Sequence, residues 1–274
     1  MKSTRATTRR RRSVSAPPAR KPKTPKPVGS ITPARSWAIY GRAGTGKTTF
    51  SSTFPKPILL LDVKDEGTDS IRDVKGVDVI EVESSEDLED AYWLLHKNAA
   101  GYKTVVIDTM TQLQQLVVEE IARKKNRSER DPGDWGSLTK GDWGDVSSYM
   151  KTWIINFRDL PMETVFIAQD RAFNIEEEEG ELAPEIGPRL SPATSAHLCA
   201  SVSCVGNTFI RSRVIRMKSK LKKPLEKTVI EYCLRLGPNS VYITKLRKPL
   251  GTRIPNELVN PAYQDVLDLI HGEE

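Results

Sequence analysis

Cysteine and histidine are scarce in this chain, with three of each among 274 residues. Cys199, Cys204 and Cys233, like His96, His197 and His271, follow no metal-ligand spacing and no paired disulfide framework. A structural metal and a disulfide scaffold are therefore not expected, and a reduced compartment fits. No apolar run approaches the roughly 20 residues that span a bilayer, so no membrane partner is expected. The first residues lack the apolar core of a secretory signal, which predicts a cytoplasmic protein. Acid is missing from one region only. Residues 1–35 carry eleven Lys or Arg and no Asp or Glu, whereas residues 36–274 hold 31 basic and 36 acidic residues. The basic pI belongs to the N-terminal segment, and the rest is mildly acidic.

Residues 1–34 consist mainly of Arg, Lys, Pro, Ser and Thr. Such a segment buries too little apolar surface to offset the entropy of ordering, so it reads as a disordered basic tail. Its densest run, "TRRRRS", suits either a phosphate-binding arm with a steep salt dependence or a solubilising extension.

From residue 35 to 274 apolar runs alternate with amphipathic stretches. "SWAIY" (36–40), "PILLLD" (57–62), "VDVIEV" (77–82), "KTVVID" (103–108) and "ETVFIAQ" (163–169) predict strands. Helices are expected from Lys47 to near Pro55, over 84–99 with Ser85 as its cap, over 111–125 and over 147–160. Trp93 and Trp153 fall in helices and are expected in the core. Continuous apolar strands alternating with helices indicate an α/β fold with a mostly parallel sheet flanked by helices. Near the C-terminus "EYCLRL" (231–236) and "SVYITKL" (240–246), joined across "GPN", predict a β-hairpin, and a closing helix follows.

"IYGRAGTGKTTF" (39–50) carries the chemistry. Gly41, Arg42, Ala43, Gly44, Thr45, Gly46, Lys47 and Thr48 match G-x-x-x-x-G-K-[ST] in full, and Thr49 follows. Glycines let the loop curl so that backbone N–H groups face phosphate oxygens, and the following helix adds its positive end. Lys47 supplies a charge to the β- and γ-phosphates of ATP, and Thr48 a hydroxyl to Mg²⁺. A second component should be an acid ending another buried strand. "TVVIDT" supplies Asp108, read either as the Mg²⁺ carboxylate or as a cap of the next helix. For the carboxylate that positions water, "LLLDVKDEGTDS" offers Glu66 first and Asp65 close behind, or else only a charged turn. Gln169, at the tip of "TVFIAQ", is either a γ-phosphate sensor or an edge hydrogen-bonding group.

The order of these elements resembles the RecA-like branch of P-loop ATPases. More closely, residues 35–270 resemble phage-type AAA-family ATPases associated with single-strand annealing and recombination. "FIAQ", a long loop and "SPATSAHLCASVSCV" are similar to the family's sensor strand, loop, helix and next strand. The resemblance implies a RecA-like P-loop NTPase core, ATP with Mg²⁺, a homo-oligomeric ring or filament, and single-stranded DNA as partner. "VYITKLRKPLG" is similar to the strand that reaches a neighbouring subunit's ATP, which implies that role for Lys245 and Arg247, the alternative being a solvated strand end. Two departures stand out. Lys64 occupies the position of the family's usual glutamate, and "EEEEGE" (176–181) fills a loop that would repel DNA and reads as a solvated hairpin tip.

The near-repeat "GDWGSLTKGDWGD" (133–145) places Trp135 and Trp143 eight residues apart with Lys140 between them. These residues suit base stacking and phosphate contact in a loop, or alternatively tryptophans that plug the loop's own floor. The leading expectation is an ATP-hydrolysing protein acting on single-stranded DNA. A nucleotide-kinase-type phosphotransferase and an ATP-binding adaptor or helicase loader without strong turnover are the alternatives. A GTPase is disfavoured because N-K-x-D is missing.

Overall fold

Strands such as "ILLLD" and "TVVID" have no polar face, so they can be stable only where both faces of a sheet are covered. The computed structural model describes residues 34–64, 67–98, 100–125, 138–173, 185–217, 225–248 and 251–272. The expected N-terminal tail, apart from Ala34, lies outside them. The central sheet contains β1 (Ser36–Gly41), β2 (Ile58–Asp62), β3 (Val77–Glu81), β4 (Thr104–Asp108), β5 (Glu163–Ala168), β8 (Cys204–Met217), β9 (Leu225–Arg235), β10 (Lys245–Leu246) and β11 (Glu257–Val259). Its order is β11-β9-β8-β1-β5-β4-β2-β3, and β10 also pairs with β8. The six strands from β8 to β3 run parallel, while β9, β10 and β11 pair antiparallel.

Alternate residues of each strand feed opposite cores. Ala38, Tyr40, Leu59, Leu61, Val105, Ile107 and Phe166 face one apolar layer. That layer includes α2 (Ser85–Lys97), α3 (Met110–Lys124), α4 (Lys140–Arg158) and α5 (Pro192–Ser201). Trp37, Ile39, Ile58, Leu60, Val106 and Ile167 face the other layer, with α1 (Lys47–Ser51) and α6 (Tyr263–His271). Each fully buried side chain of this size contributes about 1.5–3 kcal/mol. Among the described residues no helix is long and apolar enough to cross a membrane.

Several expectations are corrected. The C-terminal hairpin does not form between 231–236 and 240–246. "EYCLRL" belongs to β9, which pairs with β8 from Asn207↔Arg235 to Met217↔Leu225. "KL" of β10 pairs with Val205 and Cys204 further back along the same edge of β8. The two segments tile one strand instead of each other. Asn239 drives the detour: its Oδ1 accepts the N–H groups of Val241 and Tyr242, both at 2.9 Å. A different hairpin is present, because β6 (Asp170–Phe173) and β7 (Glu185–Pro188) pair antiparallel. The acidic run 176–181 between them lies outside the described residues.

Helix α1 is only five residues long. Ser51, Ser52 and Thr53 each donate a hydroxyl to the carbonyl three residues back, at 2.7–2.8 Å, and Pro55 follows. Such side-chain bonds compete with helix propagation. Ser84, not Ser85, caps α2: its hydroxyl accepts the Asp87 N–H while Asp87 accepts the Ser84 N–H. That arrangement is worth about 1 kcal/mol. Ser85 instead binds Glu120 of α3 through its N–H and hydroxyl. Trp153 is buried as expected, but Trp93 is 47% exposed. It stands on the helix face opposite the buried stripe of Leu88, Ala91 and Leu95.

α4 begins seven residues before the expected start. Thr139 and Asp142 form a reciprocal cap, so the second copy of the near-repeat is the first turn of a helix. Lys125 donates to both Asp142 and Asp145 at 2.6 Å. Bonds from Lys125, then from Thr139, hold the Asp142 carboxyl well below its ordinary range. Its folded pKa is depressed, so its contribution to stability is complete above the ordinary value of 3.8 and is lost as pH falls below it. Asp142→Asn should lower the urea midpoint at neutral pH and remove part of the loss on acidification. An unchanged acid limb in pH-dependent urea melts would contradict this role.

Candidate nucleotide-binding site

β1 delivers the glycine loop at its C-terminal tip, between β8 and β5. Gly41 abuts β8 so closely that a Cβ would lie 2.3 Å from the Thr208 carbonyl oxygen. Only glycine satisfies that approach. Thr45 Oγ1 donates to the Arg42 carbonyl at 2.8 Å and shares a 2.7 Å hydrogen bond with Thr208 Oγ1. The loop is thus closed on itself and fixed to β8. Gly46 has φ +83°, a left-handed conformation that reverses the chain into α1. Lys47 is buried, and its Nζ donates to the carbonyls of Gly41 (3.0 Å) and Arg42 (2.8 Å). A positive charge therefore sits inside the ring of the loop.

Thr48 and Asp108 are brought together. Thr48 Oγ1 donates to Asp108 Oδ2 at 2.7 Å, and Asp108 is buried at the end of β4. The helix-cap reading of Asp108 is corrected, because Thr109 is the cap of α3 and accepts the Gln112 N–H. The side of Gly67 without a side chain faces this pair, a Cβ there lying 3.8 Å from Thr48 Oγ1 and 3.9 Å from Asp108 Oδ2. A hydroxyl in the first turn of α1 and a carboxylate at the tip of β4, meeting at the edge of a cleft, are the hard-oxygen donor set that Mg²⁺ uses alongside phosphate and water. The residues present fit that ion. Glu66 and Asp65 lie outside the described residues, although their neighbour Gly67 borders the Thr48–Asp108 pair.

Gln169 also lines the cleft. Its N–H donates to Thr111 Oγ1 at 3.1 Å, and its Oε1 accepts from Arg189 Nη1 at 3.2 Å. Arg189 is exposed and follows β7, so the hairpin after β5 returns to the strand tip it left. The cleft measures about 670 Å³, enough for a nucleotide. Its lining runs from the Gly44–Thr49 loop to Thr208, Tyr232 and Asn260.

The remaining candidates lie elsewhere. Lys245 donates to the carbonyls of Cys199 (3.0 Å) and Ala200 (2.8 Å), capping the end of α5. Burial lowers its pKa. The Arg247 N–H bonds to Ser203, whose N–H bonds to Ser36 at the start of β1. Both residues therefore stand at the opposite end of β1 from the glycine loop of their own chain. Lys140 and Trp143 occupy the first turn of α4, and Trp143 is 40% exposed. Neither is in a loop, and Trp143 does not plug a floor. Trp135 lies outside the described residues.

Tyr232 and Asn260 carry no signal in the sequence that points to the cleft. Both reach the cleft through antiparallel pairing of β9 with β8 and β11 with β9. Nor does the sequence signal the length of the β8–β9 ribbon. β1 pairs with β8 only as far as Thr208, whereas the β8–β9 ladder continues to Met217↔Leu225.

The model of the AAA domain family matches residues 34–248. The chain belongs to the AAA-domain family. Among curated proteins, none matches it closely enough to add a named relative. Membership supports a nucleotide-binding ATPase domain of the P-loop type, in a family that generally binds ATP with Mg²⁺.

Thr48→Val removes the hydroxyl while retaining the side chain's shape. In calorimetric titrations it should abolish the tightening of ATP binding by Mg²⁺, with smaller loss in the presence of EDTA. Equal Mg²⁺ tightening in the variant and the unaltered chain would contradict the assignment.

Proposed function

We propose that this AAA-domain protein hydrolyses ATP in the cleft above β1 and acts on single-stranded DNA, in phage-type recombination, replication or repair. The observation that carries the ATPase reading is the Thr48–Asp108 contact beside the closed glycine loop. Charge neutralisation and positioning are the chemistry such a site offers. Lys47 is the resident cation for the β- and γ-phosphates, and loop N–H groups hold the chain of phosphates in line. Mg²⁺ bound by Thr48 and Asp108 would neutralise developing phosphate charge. Gln169, held between Thr111 and Arg189, is suited to register the terminal phosphate. Glu66, or else Asp65, is the acid assigned to orient the attacking water.

The DNA reading draws on charge that the body otherwise lacks. Between Arg211 and Lys227 the sequence carries eight Lys or Arg and one Glu, on the ribbon of β8 and β9 and the segment joining them. Exposed Ile210, Val214 and Ile230 accompany these charges. A cationic, partly apolar ribbon suits a flexible polyanion with exposed bases, and its binding should weaken steeply with salt. The basic tail adds to the same attraction.

A homo-oligomer, as ring or filament, is part of the proposal, and the placement of Lys245 and Arg247 supports it. They stand far along β1 from their own loop, so a role at ATP is open to them only in a neighbouring copy. Arg247 is exposed and the better placed of the two.

ATP turnover with and without single-stranded DNA tests the proposal, comparing the full chain with one beginning at Ser36. DNA should raise turnover, more strongly at low salt, and Lys47→Ala should abolish it. Turnover indifferent to DNA at every salt concentration would reject the DNA role. Turnover unchanged by Lys47→Ala would reject the site.

A further inference from the structure

The cleft has two chemically distinct ends. At one, Thr48, Asp108 and Gln169 converge at the tips of β4 and β5. At the other, Tyr232 of β9 meets the segment Asn260–Ala262, which follows β11. The strand order places these ends on opposite sides of β1.

We propose that the second end is a nucleobase seat, in which the Tyr232 ring stacks on the base of a purine nucleoside triphosphate and Asn260–Ala262 borders the same space. This rests on the reading of the glycine loop as the triphosphate site. Direction follows from that reading. With the terminal phosphate beside Asp108 and Gln169, the chain of phosphates runs along the loop toward Thr49, and the nucleoside emerges on the β9 side. Tyr232 is there. A Cβ on Gly46 would lie 3.3 Å from the Tyr232 ring, so the ring reaches the loop itself. Tyr232 is 45% exposed although the next residues of β9, Cys233 and Leu234, are buried. An aromatic ring left open at the mouth of a cleft has a free face for stacking.

The backbone around that ring is fixed from both sides. Asn260 accepts the Tyr232 N–H through Oδ1 at 3.2 Å and donates its own N–H to the Tyr232 carbonyl at 2.6 Å. It adopts φ +47°, a left-handed conformation that asparagine takes more readily than most residues. With Oδ1 engaged, the side-chain NH₂ remains a donor, matched to the acceptor nitrogens of a purine ring. The Tyr263 N–H bonds to Thr53 Oγ1 at 2.9 Å and ties this segment to the turn after α1. The phosphate loop, β9 and the C-terminal segment are therefore joined around one space. Sequence reading finds no such seat, because its parts come from three distant stretches.

The test is calorimetry on the full chain with Mg²⁺, titrating ATP and, separately, inorganic tripolyphosphate. Tyr232→Ala should weaken ATP by about tenfold or more, the scale of one base-stacking contact. It should leave tripolyphosphate unchanged, and Tyr232→Phe should retain ATP binding. Should Tyr232→Ala fail to fold, Asn260→Gly keeps the backbone conformation and should still weaken ATP selectively. Unchanged ATP affinity, or equal weakening of both ligands, would overturn the seat. If the unaltered chain binds tripolyphosphate as tightly as ATP, the seat fails while the phosphate loop stands. If it binds neither, the phosphate reading falls and the seat with it.

Discussion

β1 and β8 approach at Gly41 so tightly that no side chain fits between them. The rest of the site depends on that contact. It brings Thr208 within reach of Thr45, which holds the glycine loop closed. It makes β8 the neighbour of β1, so the antiparallel β9 and β11 add onto that side and bring Tyr232 and Asn260 to the loop. On the other side of β1, β5 and β4 end at Gln169 and Asp108. The loop is thus flanked by a polar edge that bears Asp108 and Gln169 and by a half-apolar edge, both set by strand order.

This geometry assigns work to each part of the chain. The parallel half of the sheet supplies fixed charges and hydroxyls at strand tips, where burial on both faces keeps them in place. The antiparallel half supplies reach. The β8–β9 ribbon extends past the end of β1, and α6 packs the C-terminal segment onto the core shared with α1. A ligand seated between the halves would touch both. In the proposed function, that contact is the route by which nucleotide state affects a cationic ribbon.

Much of this was legible from residues alone. Continuous apolar strands announced a doubly covered parallel sheet, and the Gly41–Thr48 spacing announced the loop. Asp108 was legible because a buried strand ending in acid needs a partner, which proves to include Thr48. The misses have physical causes. Local pairing is the default expectation for the C-terminal strands, whereas their true partner, β8, is distant in sequence. The glycines around Trp143 read as a loop, whereas Thr139-x-x-Asp142 is a reciprocal cap that starts α4 there. Residue type alone puts Trp93 inside, whereas its position on the face opposite the buried stripe of α2 leaves it exposed. Tyr232 had no local signal, being an ordinary strand tyrosine until topology brings it to Gly46.

The central claim is that ATP lies along the closed glycine loop with its terminal phosphate toward Asp108. A crystal structure of the chain with Mg²⁺ and a non-hydrolysable ATP analogue tests it most directly. The predicted result has the phosphates within hydrogen-bonding distance of the loop N–H groups and Lys47, with the metal against Thr48 and Asp108. An analogue bound away from residues 41–49, or with its terminal phosphate at the β9 side, would contradict the account.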